Sequence, residues 1–204
     1  LDIDASKEQR RPDFQHIAEI CSESFIPFCY GGGIKTLDDA EKLFTIGVEK
    51  ISLNRVLFND KKLITSMAHQ FGSQSIVAAM DVRKKWMSGY TVMAETGKVN
   101  TRLNPIEYAR ELEQLGAGEL LINAIDRDGM MNGYDIPLMQ EIASAVSIPV
   151  IACGGAGHIQ HIAELFQQTQ VSAAAAGSLF VFKGKHRAVL INYPSPKELK
   201  TLVT

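Results

Sequence analysis

Apolar and polar positions follow two rhythms along this chain. Short apolar runs fall at Leu1 to Ile3, Pro27 to Tyr30, Lys50 to Leu53, Ser75 to Met80, Glu119 to Asn123, Pro149 to Ala152 and Ala173 to Ala176. Between them, apolar residues recur every three or four positions from Pro12 to Ser24, Thr36 to Ile46, Lys61 to Phe71, Pro105 to Leu115, Ile136 to Ala145 and His158 to Gln168. The first rhythm predicts seven strands and the second predicts amphipathic helices. Their alternation predicts βα units around a parallel sheet. Thr36 followed by Asp38 and Asp39 suits a helix start, because early acidic residues complement the helix dipole. One excursion breaks the pattern: Lys84 to Thr101 alternates around Ser88-Gly89 and Thr96-Gly97, which predicts two short strands after the fourth strand. Trp86 and Tyr90 lie inside it and would either cover a ligand or staple the hairpin.

An internal repeat organises the whole. Ile26-Pro-Phe-Cys-Tyr-Gly-Gly-Gly33, a helix with Leu43-Phe44 and the strand Lys50 to Asn54 return as Ile148-Pro-Val-Ile-Ala-Cys-Gly-Gly155, a helix with Leu165-Phe166 and the strand Ala173 to Ala176. An offset of about 122 residues holds four βα units. Two such halves make a (β/α)8 TIM barrel, whose usual size is about 250 residues. Residues 1–204 read as one barrel domain. Leu1-Asp-Ile-Asp-Ala5 reads as the end of a strand without its lead-in, so about one and a half N-terminal βα units are expected ahead of it. A barrel short of a strand has two unpaired edges and is expected to be aggregation-prone. An open doubly wound sheet is the alternative, but it does not call for a twofold repeat.

Composition narrows the partners. The chain has 204 residues, 46% hydrophobic and 22% charged, enough to bury a core, and a formal charge of −2. That charge gives no basic field for nucleic acid and no polybasic patch for a membrane. Apolar runs are too short to span a bilayer, and no signal peptide opens the chain. Cys21, Cys29 and Cys153 have no CxxC or CxxH spacing and read as reduced, packed thiols of a cytoplasmic protein.

Candidate chemistry gathers at predicted strand ends, where this fold carries its sites. Gly31-Gly32-Gly33 follows one strand, and Asn54-Arg55 closes the next. In the second copy Gly154-Gly155-Ala156-Gly157 is matched by Gly177-Ser178, with Asp128-Gly129 nearby. Glycine-rich turns offer backbone N–H groups to phosphate, and an arginine adds a bidentate contact. A single run equally serves a tight turn; two in register favour a substrate with two phosphates. Carboxylates close several strands: Asp2 and Asp4, Asp81, and Asp126 with Asp128. Partial burial there raises a carboxyl pKa and suits acid or base work, although such residues also cap helices or orient an arginine such as Arg127. Lys50 and Glu119 stand at strand starts, where an ion pair is the plain expectation. His158 and His161 are one turn apart without a carboxylate or cysteine at ligand spacing; they read as solvated helix residues, and neither a metal nor a cofactor is implied.

Gly31-Gly-Gly-Ile34, Phe71-Gly-Ser-Gln74, Ala79-Met-Asp81, Gly116-Ala-Gly-Glu-Leu120, Ile125-Asp-Arg-Asp-Gly129, Gly133-Tyr-Asp135 and Gly154-Gly-Ala-Gly157 together resemble the cyclase subunit of imidazole glycerol phosphate synthase, in order and across nearly the whole chain. The resemblance implies a lyase-type synthase subunit that takes ammonia through the barrel from a class I glutaminase partner and adds it to a doubly phosphorylated small molecule. It implies that Asp81 is catalytic, that Asp2 lies at the site mouth and that Lys50 and Glu119 gate ammonia; the repeat's corner residues Gly33, Asn54, Arg55, Asp128, Gly129, Gly155, Gly177 and Ser178 would hold the substrate phosphates. The family's other catalytic aspartate belongs to a first strand that this sequence does not contain. Arg55 replaces a threonine, Asn123-Ala124 replaces Thr-Ser, and Cys153 replaces a serine. With Gly177 to Gly184 and Arg187 to Pro194, these departures look closer to a paralogous branch tied to acetamidino modification of lipopolysaccharide sugars, where ammonia reaches a separate amidotransferase. The alternatives are a histidine-pathway cyclase making imidazole glycerol phosphate and AICAR, a non-catalytic ammonia conduit, and the sister sugar isomerase, which has no use for Lys50 and Glu119.

Overall fold

A computed structural model describes residues 1–183, 188–191, 193–195 and 198. Gly184, Arg187 and Asn192 of the C-terminal signature lie outside the described residues. In chain order the elements begin with α1 (Ile3–Lys7), α2 (Phe14–Glu23), β1 (Cys29–Gly31), α3 (Leu37–Thr45), β2 (Lys50–Leu53), α4 (Val56–Asn59), α5 (Lys62–Phe71) and β3 (Ile76–Lys84). They continue with β4 (Tyr90–Ala94), β5 (Val99–Asn100), α6 (Pro105–Gln114), β6 (Glu119–Ala124), α7 (Ile136–Ala143) and β7 (Val150–Cys153). The last are α8 (Ile159–Gln168), β8 (Ala173–Ala174), α9 (Ser178–Val181) and the short antiparallel pair β9 (Phe182–Lys183) and β10 (Ala188–Val189). The strands run in the order β1-β2-β3-β6-β7-β8, with β4 and β5 attached to β3. The pairs β1–β2, β2–β3 and β7–β8 are parallel. Sequential strands with helical crossovers are the (β/α)8 barrel pattern, and the fold class is α/β of that type.

The repeat is visible in the elements. β1 leads to Gly32 and Gly33, both at positive φ, then to α3, β2 and the four-residue α4. β7 leads to Gly154 and Gly155, also at positive φ, then to α8, β8 and the four-residue α9. The expected excursion is present as well. β3 runs on to Lys84 and turns into β4, with Lys84 opposite Tyr90.

Two expectations need correction. Leu1 to Ile3 is not a strand: Asp2 bonds the Gly31 carbonyl through its N–H at 2.7 Å, and its side chain caps α1 by accepting from Ala5 N at 3.0 Å. Cys29 is exposed, and Cys21 and Cys153 are only partly buried, so the thiols are not core packing. Among the described residues no helix is long and apolar enough to cross a membrane.

By internal contacts the chain divides into Leu1–Ala79 with Glu111–Leu120, and the remainder from Met80 to Arg110 and from Leu121 onward. The first unit packs Leu43, Ile51, Leu53, Leu57, Ile64, Met67 and Ile76 at full burial. The second packs Met80, Met93, Ile122, Leu138, Ile142 and Val150. The first unit also buries a charge. Asp39 is inaccessible, and its Oδ2 accepts from Lys35 N, Thr36 N and Thr36 Oγ1 at 2.9, 2.9 and 3.0 Å. Its Oδ1 accepts from Arg11 Nε at 2.7 Å. Burial pushes the Asp39 carboxyl pKa up, but the bonds from Lys35, Arg11 and Thr36 outweigh it and hold the pKa below 3.8.

Asp39→Asn places an amide among donors and is expected to cost about 2 to 3 kcal/mol in urea unfolding at neutral pH. A depressed folded-state pKa stabilises the fold above the unfolded value of 3.8, and that gain is lost as pH falls through the folded value. The gap between the two proteins should therefore be full above pH 3.8 and close below it.

Candidate functional site

The first corner is formed by the ends of β1 and β2, which are in register at Gly31 and Ser52. Gly33 follows β1, Asn54 and Arg55 follow β2, and Arg55 leads into α4. The segment after Asp2 packs against the glycines. A Cβ on Gly32 would stand 2.5 Å from Asp2 O, and one on Gly33 would stand 2.5 Å from Arg10 O. Close chain approach and positive φ therefore both require glycine here. Asp2 is engaged on three sides: Arg10 Nη2 donates to both carboxylate oxygens at 2.9 Å, Tyr30 Oη donates at 3.2 Å, and Ala5 N caps. Burial pushes its pKa up, but Ala5, Arg10 and Tyr30 outweigh this and lower it, opposite to the expectation for a strand-end carboxylate. Asp2 is thus an ionised partner of Arg10. Asp4 is exposed and pairs with Lys7.

Lys50 and Glu119, the first residues of β2 and β6, form a direct ion pair, Nζ to Oε1. Beside them Cys29 starts β1, in register with Lys50. Along β6 half-buried positions alternate with buried ones, so Glu119, Leu121 and Asn123 share one face while Leu120, Ile122 and Ala124 are buried on the other.

Near the second corner Asp81 is half-buried on β3. Asn123 Nδ2 donates to Asp81 Oδ1 at 3.1 Å. On β7 the Cys153 thiol is pushed up to about 11 by burial, by Asp128 and by Asp81, against a lowering bond from Gly154. It stays protonated at neutral pH. The loop after β6 folds back through Arg127 N and Asp128 N on the Ala124 carbonyl, at 2.9 and 3.0 Å, leaving Asp128 exposed. A Cβ on Gly155 would lie 2.1 Å from Gly133 O, so this glycine too is required by chain packing. Gly129 has open space around it and a φ of 73°. Gly177, next to Ser178, has open space and a φ of −110°, so neither packing nor backbone conformation requires a glycine there.

Other candidates have structural work. Asp126 accepts from Lys84 N at 2.7 Å and faces Arg83 at 3.6 Å, tying down the hairpin base. Tyr90 donates to Asp135 Oδ1 at 2.8 Å, tying the hairpin to the cap of α7, whereas Trp86 is fully exposed. His158 caps α8 through Gln160 N, and His161 Nδ1 accepts from Gly157 N at 3.2 Å, so these histidines bind backbone rather than only solvent. Arg10, Arg11 and Tyr30 were not legible as a network, since their partners lie 8 to 28 residues away. Asp135 before Ile136-Pro137 did carry a helix-start signal, and it is the buried cap of α7.

The family model described as "Histidine biosynthesis protein" matches residues 1–187. The chain belongs to that family. Within it the relatives are HisF-type subunits. A Pseudomonas aeruginosa protein provisionally named imidazole glycerol phosphate synthase subunit hisF2 is 53% identical over 199 residues, which is 98% of this chain and 79% of the relative. A Vibrio vulnificus protein provisionally named subunit hisF3 is 47% identical over 98% of this chain and 77% of its own length. The imidazole glycerol phosphate synthase subunit HisF of a Hydrogenobaculum strain is 44% identical over 90% and 73%. For this family member, then, the histidine-family fold and a HisF-like barrel are established, and the glycine corners belong to that architecture.

Two alanine variants separate the glycines. Gly155→Ala, with a φ of 108° and a contact at 2.1 Å, is expected to lose at least about 2 kcal/mol in thermal or urea unfolding. Gly177→Ala should stay within about 0.5 kcal/mol of the parent.

Proposed function

We propose that this chain is a cyclase-type synthase subunit supplied with ammonia by a glutaminase partner, and that it serves the branch forming amidino sugars of lipopolysaccharide. The observation that carries the reading is the face of β6. Glu119, paired with Lys50, and Asn123, bound to Asp81, lie on that one face. Four residues of strand separate them, about 13 Å. A lysine and a glutamate that neutralise one another present no net charge to a neutral molecule such as ammonia. Asp81 of β3, which Asn123 binds, is the group able to move a proton, as general acid or base.

Phosphate recognition falls to the two glycine corners. Gly33, Asn54 and Arg55 serve one, and Asp128, Gly129, Gly155, Gly177 and Ser178 the other. The open space at Gly177, without a conformational need for glycine, supports a ligand there. Asp2, tied to Arg10, holds the first corner in shape. Similarity to relatives named hisF2 and hisF3, together with Arg55, Asn123, Ala124 and Cys153, supports the paralogous branch over the histidine-pathway cyclase. Its partners on this reading are the glutaminase, a phosphorylated small molecule and a separate amidotransferase, in the cytoplasm.

Asp81→Asn should reduce ammonia-dependent turnover of the assembled complex at least about 100-fold. Unchanged product formation would instead make the barrel a conduit. Lys50→Met should impair glutamine-driven turnover while leaving turnover on added ammonium salt near the parent value; equal loss on both nitrogen sources would remove the gate role. Formation of imidazole glycerol phosphate and AICAR at rates typical of a biosynthetic enzyme would assign the chain to the histidine pathway.

A further inference from the structure

β6 has two polar residues, Glu119 at its start and Asn123 near its end. The side chain of Asn123 is lopsided in its bonding. Its Nδ2 donates to Asp81 Oδ1 at 3.1 Å, while its Oδ1 is buried against Gly154 and accepts no hydrogen bond among the described residues. A buried carbonyl without a donor costs free energy, so an amide placed for packing alone would not choose this orientation. The opposite orientation would aim the carbonyl at a carboxylate, oxygen against oxygen. The amide thus presents its donor to the Asp81 carboxyl at the cost of its own carbonyl.

We propose that Asn123 is the positioning residue of this site: its amide N–H fixes the Asp81 carboxylate and favours its ionised form, so that Asp81 enters the reaction as a proton acceptor. The inference rests on the reading of Asp81 as the proton-moving group and narrows it from acid or base to base. An amide donor stabilises the anion and gives nothing to the protonated acid in the same orientation. The neighbouring elements carry further groups. Arg83, two residues along β3, is directed to Asp126 and to the Gly97 carbonyl. From β4 the residue opposite is Met93. From β7 comes the Cys153 thiol, which is neutral at pH 7, and from the loop after β6 come Asp126 and the exposed Asp128, whose negative charges oppose ionisation of a neighbour. Asn123 offsets that opposition with a directed donor.

The test reads Asp81 directly in the full chain, without substrate. The 13C resonance of its side-chain carboxyl, identified by its loss in Asp81→Asn, is followed against pH. In Asn123→Leu, which removes the donor at similar volume, the midpoint should rise by about one pH unit. In Asn123→Thr a hydroxyl restores a donor, and the midpoint should return most of the way to the parent value. If Asn123→Leu does not fold, Asn123→Ala takes its place in the same titration. A midpoint in the donorless variant within about 0.3 pH unit of the parent overturns the proposal. The acid limb of kcat/KM should move upward in the donorless variant by the same amount as the NMR midpoint. Should Asp81→Asn leave turnover unchanged while the Asn123 variants still move the titration, the positioning role stands and the catalytic reading of Asp81 falls.

Discussion

Alternation along a buried strand is the constraint on which the rest of this molecule depends. Successive side chains of β6 point to opposite faces, so Leu120, Ile122 and Ala124 can be wholly buried while Glu119, Leu121 and Asn123 remain on the other face. Slipping the register by one residue would bury a glutamate and an asparagine and expose three apolar side chains, so the hydrophobic side fixes where the polar side must be. The chemistry of the strand is placed by its packing. An ion pair with Lys50 at one end and a hydrogen bond to Asp81 near the other follow from that choice.

Glycines show how closely folding and ligand chemistry are entangled at strand ends. Gly32, Gly33, Gly154 and Gly155 all have positive φ, and each has a neighbouring atom within 2.6 Å of where a Cβ would stand. Their identity follows from chain geometry, whatever else their N–H groups do. Gly177 is different, since no such demand acts on it. A repeated glycine motif is therefore a reliable marker of architecture and an ambiguous marker of a binding site.

Much of the fold was legible in the sequence. Six of the seven apolar runs are strands, all six amphipathic segments are helices, and the excursion after the fourth strand is the expected hairpin. Asn123 and Cys153 were visible as departures from the family pattern, but nothing local said that both stand next to Asp81. The first run failed because Leu1-Asp-Ile-Asp has the hydropathy of a strand end while Asp2 is a better helix cap, and the cap won. The exposure of Cys29 was equally invisible, since apolar neighbours in sequence do not report what covers a residue in space. Asp39 looked like a dipole partner at a helix start; its capping box is local and readable, but its bond to Arg11 spans 28 residues.

By itself the sequence determined the order of strands and helices, the twofold repeat, the positions of the glycine turns and the family. These depend on periodicity, backbone freedom and the identity of neighbours a few residues apart, all of which are written locally. Only the tertiary structure decided what each carboxylate is bound to. Asp2 is held by Arg10 and Tyr30, Asp126 by Lys84 and Arg83, and Asp39 by Arg11, whereas Asp81 meets an amide whose other end is left unsatisfied. The protonation and orientation of a carboxyl depend on donors and charges within a few ångströms, and folding draws those from strands and loops far apart in the chain.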